Sequence, residues 1–237
     1  MFSFLNKTIK LRWAIRTFLF GFIIAAVFYG GRAANNTMTE LNERDSVVDY
    51  MKDHLKLTRG YLNNAYGSYW LNCGLWTSAA HVHKETSGAT PPPVARNPFV
   101  GFTVDAVFYG ERWECKEPPA DMYEGQAVWL GGYPGASIDV ALRRGTVYLK
   151  RSVSGSHGYE TPTWIVVFED GGIADWLSEP VIGGMSGGVV IDRESLEPVG
   201  IIATQNSPVV LPKFGPDEVN SSDVVALSDA YNILLKE

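Results

Sequence analysis

The residues of this chain best suited to chemistry are a serine and a histidine, each in a distinctive local sequence. Ser186 lies among glycines in the segment 184–188, Gly-Met-Ser-Gly-Gly, and His81 ends the run Thr-Ser-Ala-Ala-His at 77–81. A serine hydroxyl becomes a nucleophile when a neighbouring base removes its proton, and an imidazole titrates near neutral pH. The two residues therefore predict attack by Ser186 on a carbonyl carbon, with His81 as general base.

The glycines around Ser186 suit the negative charge that develops on the attacked carbonyl oxygen. Because Gly184 and Gly187 have no side chains, the backbone can turn tightly and direct the N–H groups of Gly184 and Ser186 towards one point. One donor of such an oxyanion hole contributes about 3–4 kcal/mol to transition-state stabilisation. A glycine-rich turn with no catalytic role would have a similar sequence. The presence of His81 favours a nucleophile loop over such a turn.

A histidine base needs a carboxylate that fixes its tautomer and stabilises the imidazolium ion. Asp105 begins the apolar run Asp-Ala-Val-Phe-Tyr at the start of a predicted strand, where a carboxylate can be buried against a histidine. Asp121 and Asp139 lie in turn-like segments and suit a solvated position. We therefore predict Asp105, with the other two as alternatives, and His83 as the competing base.

The composition predicts a globular, turn-rich protein with a preference for β-structure. The chain has 237 residues, of which 46% are hydrophobic and 19% are charged, with 24 glycines and 13 prolines spread along it. The formal net charge is -6, and no basic stripe occurs in the body of the chain. A nucleic-acid partner is excluded on this basis, because a phosphate-binding surface needs clustered Lys and Arg.

Short strand-like segments with turn residues between them follow one another from Tyr61 onward, as in an antiparallel barrel or sandwich. A hairpin is predicted from Tyr66–Leu71 and Leu75–Ala79, and a loop is predicted over 83–98, because the prolines at 91–93 cannot join a central ladder. The further predicted strands are Phe99–Tyr109, Ala127–Leu130, Gly145–Leu149, Thr163–Phe168, Val189–Asp192 and Val199–Thr204.

A final helix is predicted after the last of these strands. Ser222 or Asp223 would cap it, and apolar residues recur behind the cap at helical spacing. These apolar residues are Val224, Val225, Leu227, Tyr231, Leu234 and Leu235.

The N-terminal segment is predicted to enter a membrane. Basic residues between Lys7 and Arg16 precede an uncharged run over 17–31. The run is short for a span of about 20 residues, so Trp13–Ile15 would extend it while Arg16 reaches the interface. We expect residues 1–32 to be a signal anchor with the rest of the chain on the extracytoplasmic side. A cleaved signal peptide, giving a secreted or periplasmic protein, is the alternative.

Residues 33–59 are predicted to be a helical stalk or linker, because apolar residues recur there at helical spacing among charges. A partner-binding or dimerising helix is the alternative for this segment. The two cysteines, Cys73 and Cys115, give no spacing pattern, so a disulfide and two free thiols both stay open.

The motifs and their order along the chain resemble the trypsin-like serine peptidases of the chymotrypsin clan, closest to the HtrA-type and related exported bacterial branches. The resemblance implies two antiparallel six-stranded β-barrels with a C-terminal helix over 60–237, and a catalytic triad of His81, Asp105 and Ser186. The segments that carry the resemblance are Thr77–His81, Asp105–Phe108, Gly125–Gly135, Gly184–Val190 and Val199–Thr204.

The resemblance further implies a serine endopeptidase that cuts polypeptides without a cofactor or metal. The pocket for the substrate side chain would be lined by Pro180 and Val181 on one side and by Ala203, Thr204 and Gln205 on the other. An uncharged pocket would favour small or apolar side chains, whereas Glu179 pointing inward would favour basic ones. An inactive relative that uses the fold as a binding module is the alternative function, and another acyl hydrolase is a third.

The chain also departs from the family pattern in two places. Met185 occupies the position where the digestive enzymes have an aspartate that pairs with a freed N-terminus. The nucleophile loop is therefore expected to be held by packing instead of by that ion pair. No PDZ domain is expected after the protease domain, so the peptide-sensing behaviour of full HtrA proteins is not expected here.

Overall fold

The structure is a computed structural model that describes residues 38–39, 42–59, 66–85, 98–100, 103–134, 139–151, 162–169, 185–211 and 218–236. The chain divides into two compact units, 1–46 and 47–237. Nearly all described residues belong to the second unit, which is mostly β.

Among the described residues, all strands and the last two helices lie in the second unit. Helix α1 covers residues 42–54, α2 covers Ala80–Glu85 and α3 covers Leu227–Leu234. The strands are β1 Leu55–Arg59, β2 Tyr66–Asn72, β3 Leu75–Ser78, β4 Pro98–Val100, β5 Val107–Tyr109, β6 Ala127–Gly132, β7 Ala141–Arg151, β8 Thr163–Phe168, β9 Val189–Asp192, β10 Pro198–Val210 and β11 Glu218–Ala226.

The strands β1 to β5 form an antiparallel sheet in the order β1-β2-β3-β5-β4. Cys73 and Gly74 connect β2 to β3 with φ angles of 47° and 78°. Positive φ at both central residues is the conformation of a two-residue hairpin turn that matches the twist of its strands. The predicted hairpin is therefore confirmed, with its first strand one residue longer and its second strand one residue shorter than expected.

The strands β6 to β11 close into a six-stranded antiparallel barrel in the order β10-β11-β8-β7-β6-β9. The barrel interior is apolar, with Val128, Leu130, Val166, Val190 and Val224 fully buried in one cluster. One of the two predicted six-stranded barrels is thus observed. In the described part of the other sheet, β1 and β4 are edge strands, and its closure into a second barrel stays a prediction.

The helix expected over 33–59 ends earlier than predicted. Residues 55–59 form β1, which pairs with β2 from Leu55↔Trp70 to Arg59↔Tyr66. The apolar Leu55 and Leu57 alternate with Lys56 and Thr58, and this period of two residues is typical of a strand. The helical spacing of the preceding apolar residues led to the prediction of a helix through this segment.

The predicted membrane segment, residues 1–32, lies outside the described residues, and so does 33–37. No helix among the described residues is long and apolar enough to span a membrane. The predicted boundaries at residues 32 and 59 stay predictions.

The segment expected to be one strand, Phe99–Tyr109, forms two. The strands β4 and β5 pair antiparallel, with Pro98 opposite Tyr109 and Val100 opposite Val107. The chain bends over 103–105 before it enters β5, which places Asp105 in a connection instead of at the head of a long strand.

Two helix predictions are also corrected. Residues 83–85, expected to begin a loop, lie in α2. Ser222 and Asp223, expected to cap the last helix, lie in β11, and α3 begins at Leu227 without a side-chain cap. Val224 and Val225 are fully buried in a strand that pairs on both sides, with β10 and β8. A continuous apolar run of this kind cannot be assigned to helix or strand by periodicity alone.

The two cysteines form a disulfide. Cys73 lies in the β2–β3 turn, Cys115 lies in the connection between β5 and β6, and their Cα atoms are 5.1 Å apart. The N–H of Glu114 also donates to the carbonyl of Cys73 at 2.9 Å. The sequence left open whether Cys73 and Cys115 are free thiols or a disulfide, and the structure shows the disulfide.

Candidate active site

The pairing of β3 with β5 brings His81 and Asp105 together. These strands are antiparallel, and Ser78 at the end of β3 lies opposite Val107 at the start of β5. His81 follows Ser78 by three residues, and Asp105 precedes Val107 by two residues, so both side chains leave the same end of the sheet. Ala79 and Ala80, which are fully buried, let the chain turn closely into α2.

Asp105 binds His81 through both of its carboxylate oxygens. Its Oδ2 lies 2.7 Å from His81 Nδ1, and its Oδ1 accepts the backbone N–H of His81 at 2.9 Å. The second bond satisfies an N–H in the first turn of α2, which has no partner within the helix. Asp105 is 1% exposed and His81 is 6% exposed. A carboxylate facing Nδ1 fixes the tautomer in which Nδ1 carries the proton and Nε2 can accept one.

Ser186 lies in a tight turn between a buried methionine and a glycine with positive φ. Met185 is fully buried in the barrel core, and Gly187 has φ +81°. A Cβ atom on Gly187 would collide with Ser78 Oγ and the carbonyl oxygen of Ser68, so only glycine fits without a shift. The Ser186 side chain itself is half-buried.

The turn is hydrogen-bonded to both sheets. On one side, the carbonyl of Ser186 accepts the N–H of Ser68 in β2 at 2.8 Å. On the other side, the N–H of Gly187 donates to the carbonyl of Ile202 in β10 at 2.7 Å, and the N–H of Ile202 donates to the carbonyl of Gly188 at 2.9 Å. The nucleophile turn is therefore fixed between the five-stranded sheet and the barrel.

The turn also contacts the segment that leads to His81. The position of a Cβ on Gly187 would be 3.1 Å from the backbone nitrogen of Ala79, two residues before His81. Direct contact thus joins Asp105 to His81, and backbone packing joins the Ser186 turn to the same end of β3. The alternative carboxylates, Asp121 and Asp139, are exposed.

Of the residues predicted to bind substrate, the described ones follow the nucleophile turn along β10. Ala203 is fully buried and Thr204 is half-buried. The backbone of Gln205 pairs with Ser222 in β11. The predicted oxyanion residue Gly184 and the predicted pocket residues Pro180 and Val181 lie outside the described residues.

Ser68 was not predicted and is part of the frame that holds the turn. It is fully buried, its Oγ accepts the N–H of Tyr133 at 2.9 Å, and its carbonyl accepts the Ser78 hydroxyl at 2.8 Å. Ser68 therefore binds β3, the end of β6 and the nucleophile turn together. A small polar residue inside the otherwise apolar strand Tyr66–Asn72 is the signal that could have identified it.

His83, the competing base of the sequence analysis, has a different environment. Its Nδ1 lies 2.6 Å from the hydroxyl of Tyr109, which in turn lies 3.1 Å from the hydroxyl of Tyr69. Burial, with a smaller contribution from the positive charge of Lys84, lowers the pKa of His83. No carboxylate contact of His83 occurs among the described residues.

The fold of this chain is similar to that of solved protein structures, although its sequence matches no known family. No protein-family model matches the chain, and no curated protein matches it in sequence. The active form of the Rv3671c protease from M. tuberculosis is similar with a TM-score of 0.52 and 13% identity, over 80% of this chain and 82% of that one. The inactive form of an Rv3671c mutant is similar with a TM-score of 0.50 and 14% identity, over 78% of this chain and 87% of that one.

A more distant structure is the HtrA-type protease AlgW with a bound tripeptide, which has a TM-score of 0.47 and 13% identity over 76% of this chain and 57% of that one. At these identities, the two Rv3671c structures establish a common fold and no more. The chain therefore has a fold similar to that of the Rv3671c protease structures.

Proposed function

We propose that this protein is a serine endopeptidase that cuts peptide bonds through an acyl-enzyme on Ser186. The observation that carries the proposal is the buried contact of His81 with both carboxylate oxygens of Asp105, at 2.7 and 2.9 Å. The glycine-framed turn of Ser186 packs against the same end of β3 from which His81 follows, and an ion pair with only a structural role would not need this arrangement. The fold supports the proposal, because the similar Rv3671c structures are described as those of a protease.

In the proposed reaction, His81 Nε2 removes the proton of Ser186 Oγ while Oγ attacks the peptide carbonyl carbon. The oxygen of that carbonyl becomes negatively charged and would be bound by the N–H groups of Gly184 and Ser186. His81 then gives the proton to the amine as the C–N bond breaks. Water, activated by the same imidazole, attacks the acyl group and releases the carboxylic acid.

The substrate would lie along β10. Ala203, Thr204 and Gln205 follow Ile202, whose carbonyl and N–H hold the nucleophile turn, so a peptide beside them would present its carbonyl near Ser186. Pro180 and Val181 would form the opposite wall of the pocket. The small Ala203 and the uncharged Thr204 support a preference for small or apolar side chains.

An extracytoplasmic location behind an N-terminal membrane anchor is also proposed. The Cys73–Cys115 disulfide supports it, because such bonds form and persist in oxidising compartments. Carbonate extraction of membranes tests the anchor: full-length protein in the soluble fraction would contradict a retained membrane segment.

Peptide-library cleavage tests the proposed function. The purified protein is incubated with a random peptide library, and the products are identified by mass spectrometry. We expect cleavage with a preference at one position, and Ser186→Ala and His81→Ala should each lower kcat by about 10⁴-fold or more, with little further loss in the double variant. A folded protein that cleaves nothing and reacts with no acylating probe would instead favour the binding module.

A further inference from the structure

Helix α2, which carries His81, is attached to the sheet at a second place outside the predicted triad. Tyr109 Oη lies 2.6 Å from His83 Nδ1, and Tyr69 Oη lies 3.1 Å from Tyr109 Oη. Tyr69 is 2% exposed and Tyr109 is 1% exposed. The three polar groups therefore form a hydrogen-bonded chain beneath α2.

The protonation of each group shows which of them has a proton to donate. Burial, with the neighbouring Tyr69 as a smaller cause, raises the pKa of Tyr109, so its hydroxyl keeps its proton. Burial lowers the pKa of His83, so its imidazole is neutral and has one nitrogen without a proton. One hydrogen bond therefore joins Tyr109 Oη and His83 Nδ1 in either tautomer of His83: Tyr109 donates it when Nε2 carries the imidazole proton and accepts it when Nδ1 does.

Both attachments of α2 use the same strand. Asp105 comes two residues before β5 and binds His81, whereas Tyr109 ends β5 and binds His83. A helix of six residues is too short to be stable by itself, because nucleating a helix is unfavourable. Residues i and i+2 leave a helix on different sides, so two contacts restrain its rotation where one would leave it free.

We propose that Tyr109 and His83 are positioning residues that fix the rotation of α2, and with it the direction of His81 Nε2 towards Ser186. The proposal rests on the proposed peptidase function. Neither residue touches the reacting atoms, and both act through His81. A displacement of a catalytic group by about 1 Å can cost about 100-fold in rate, so loosening this helix affects turnover more than binding.

Removal of one hydroxyl tests the proposal. Tyr109→Phe keeps the ring and the packing but leaves His83 Nδ1 without its hydrogen-bond partner. We expect kcat to fall by about 10-fold to 100-fold with KM unchanged, because the peptide-binding strand β10 is not altered. Tyr148→Phe is the matched control: it removes another buried tyrosine hydroxyl, on β7 in a separate cluster, and should leave kcat unchanged.

Substitutions at His83 separate positioning from packing. In His83→Asn the side-chain amide can either donate or accept, so it can replace Nδ1 as the partner of Tyr109. We therefore expect kcat within about 3-fold of wild type, less than the 10-fold change that corresponds to 1.4 kcal/mol. His83→Leu removes the hydrogen-bonding nitrogen and should reproduce the Tyr109→Phe defect. Wild-type kcat in Tyr109→Phe, or equal losses in the Asn and Leu variants, would overturn the proposal.

Proton NMR provides a readout that does not depend on activity. We expect the Nδ1 proton of His81, which faces Asp105 Oδ2 at 2.7 Å, to resonate far downfield, and to broaden or shift in Tyr109→Phe and His83→Leu but not in His83→Asn. An unchanged resonance in all three variants would overturn the positioning role, even if the wild-type protein cleaves peptides. Absence of cleavage by the wild type, together with a resonance sensitive to Tyr109→Phe, would reject the peptidase function. It would leave intact the inference that Tyr109 and His83 position His81.

Discussion

Asp105 makes two short contacts with His81, so the replacement of a single atom of this side chain should disturb the histidine. One oxygen accepts the backbone N–H of His81 and the other faces Nδ1. Each contact requires an acceptor on the aspartate. A neutral amide at this position provides one acceptor and one donor, so it cannot accept a proton from both N–H groups of His81.

Asp105→Asn is predicted to lower kcat by about 10⁴-fold, the cost of the wrong histidine tautomer. If the amide nitrogen faces Nδ1, the imidazole carries its proton on Nε2 and cannot accept one from Ser186. If it faces the backbone N–H of His81, two donors oppose each other. Steady-state kinetics on a cleaved peptide measure the effect. A rate near that of wild type would move the role to Asp121 or Asp139.

His83 is predicted to make stability dependent on pH. Its pKa is lowered in the folded state by burial, with Lys84 as the smaller cause, so between this value and about 6.5 the unfolded chain binds more protons. The stability that neutral His83 contributes is present above about pH 6.5 and is lost as pH falls through the folded-state pKa.

Urea unfolding of wild type and His83→Asn from about pH 8 to pH 5 measures the contribution of His83, because the difference between the two curves isolates one residue. The stability of wild type relative to the variant should decrease as the pH is lowered. A constant difference, or one that increases towards pH 5, would contradict the neutral state of His83.

At the scale of elements, the nucleophile turn depends on a glycine that packs between two strands. Gly187 has φ +81°, and its α-carbon faces Ser78 of β3 and Ser68 of β2. Gly125 has φ +86° and no atom within 4 Å of an added Cβ. The two glycines therefore separate backbone strain from steric collision.

Gly125→Ala is predicted to cost about 1–2 kcal/mol, the penalty of a left-handed conformation, and to leave kcat unchanged. Gly187→Ala has the same conformational penalty, and its Cβ must also displace β2 or β3. It should therefore lower the free energy of unfolding by more than Gly125→Ala does, and it should lower kcat. Urea unfolding and peptide kinetics on both variants measure this. Equal losses of stability, with normal turnover in Gly187→Ala, would mean that the turn is not fixed by this packing.

Local sequence patterns predicted the elements whose residues fit either a strand or a helix but not both. The strands Thr163–Phe168 and Val189–Asp192 have the bounds expected from the sequence, because turn residues flank each short apolar run. The β11 strand was mistaken for a helix, because its apolar residues run on into those of α3. The Tyr109–His83 contact joins positions 26 residues apart and leaves no local signal.

At the scale of the molecule, the site lies where a five-stranded sheet meets a six-stranded barrel, and the Ser186 turn is hydrogen-bonded to both. The pairing of His81 with Asp105 could be predicted, because the family motif gives the type and order of these residues. The residues that hold the two sheets together, such as Ser68 and Tyr133, could not, because their partners are far away in the chain. The disulfide is one covalent part of this frame.

Loss of the Cys73–Cys115 bridge is predicted to destabilise the whole domain. It closes a loop of 42 residues, which corresponds to about 4 kcal/mol of chain entropy in the unfolded state. Urea unfolding of Cys73→Ser, or of wild type with a reductant, measures the loss. The variant should retain kcat at low denaturant, because neither cysteine contacts the site. Unchanged stability after reduction would show that the loop is already restrained without the bridge.

We propose that Ser186 is a nucleophile activated by His81. Reaction with a fluorophosphonate probe, followed by mass spectrometry of the digested protein, tests it most directly. We predict one adduct, on the peptide that contains Ser186, with no adduct in Ser186→Ala and strongly slowed labelling in His81→Ala. Labelling that persists in Ser186→Ala, or an adduct on another residue of the folded wild-type protein, would contradict the account.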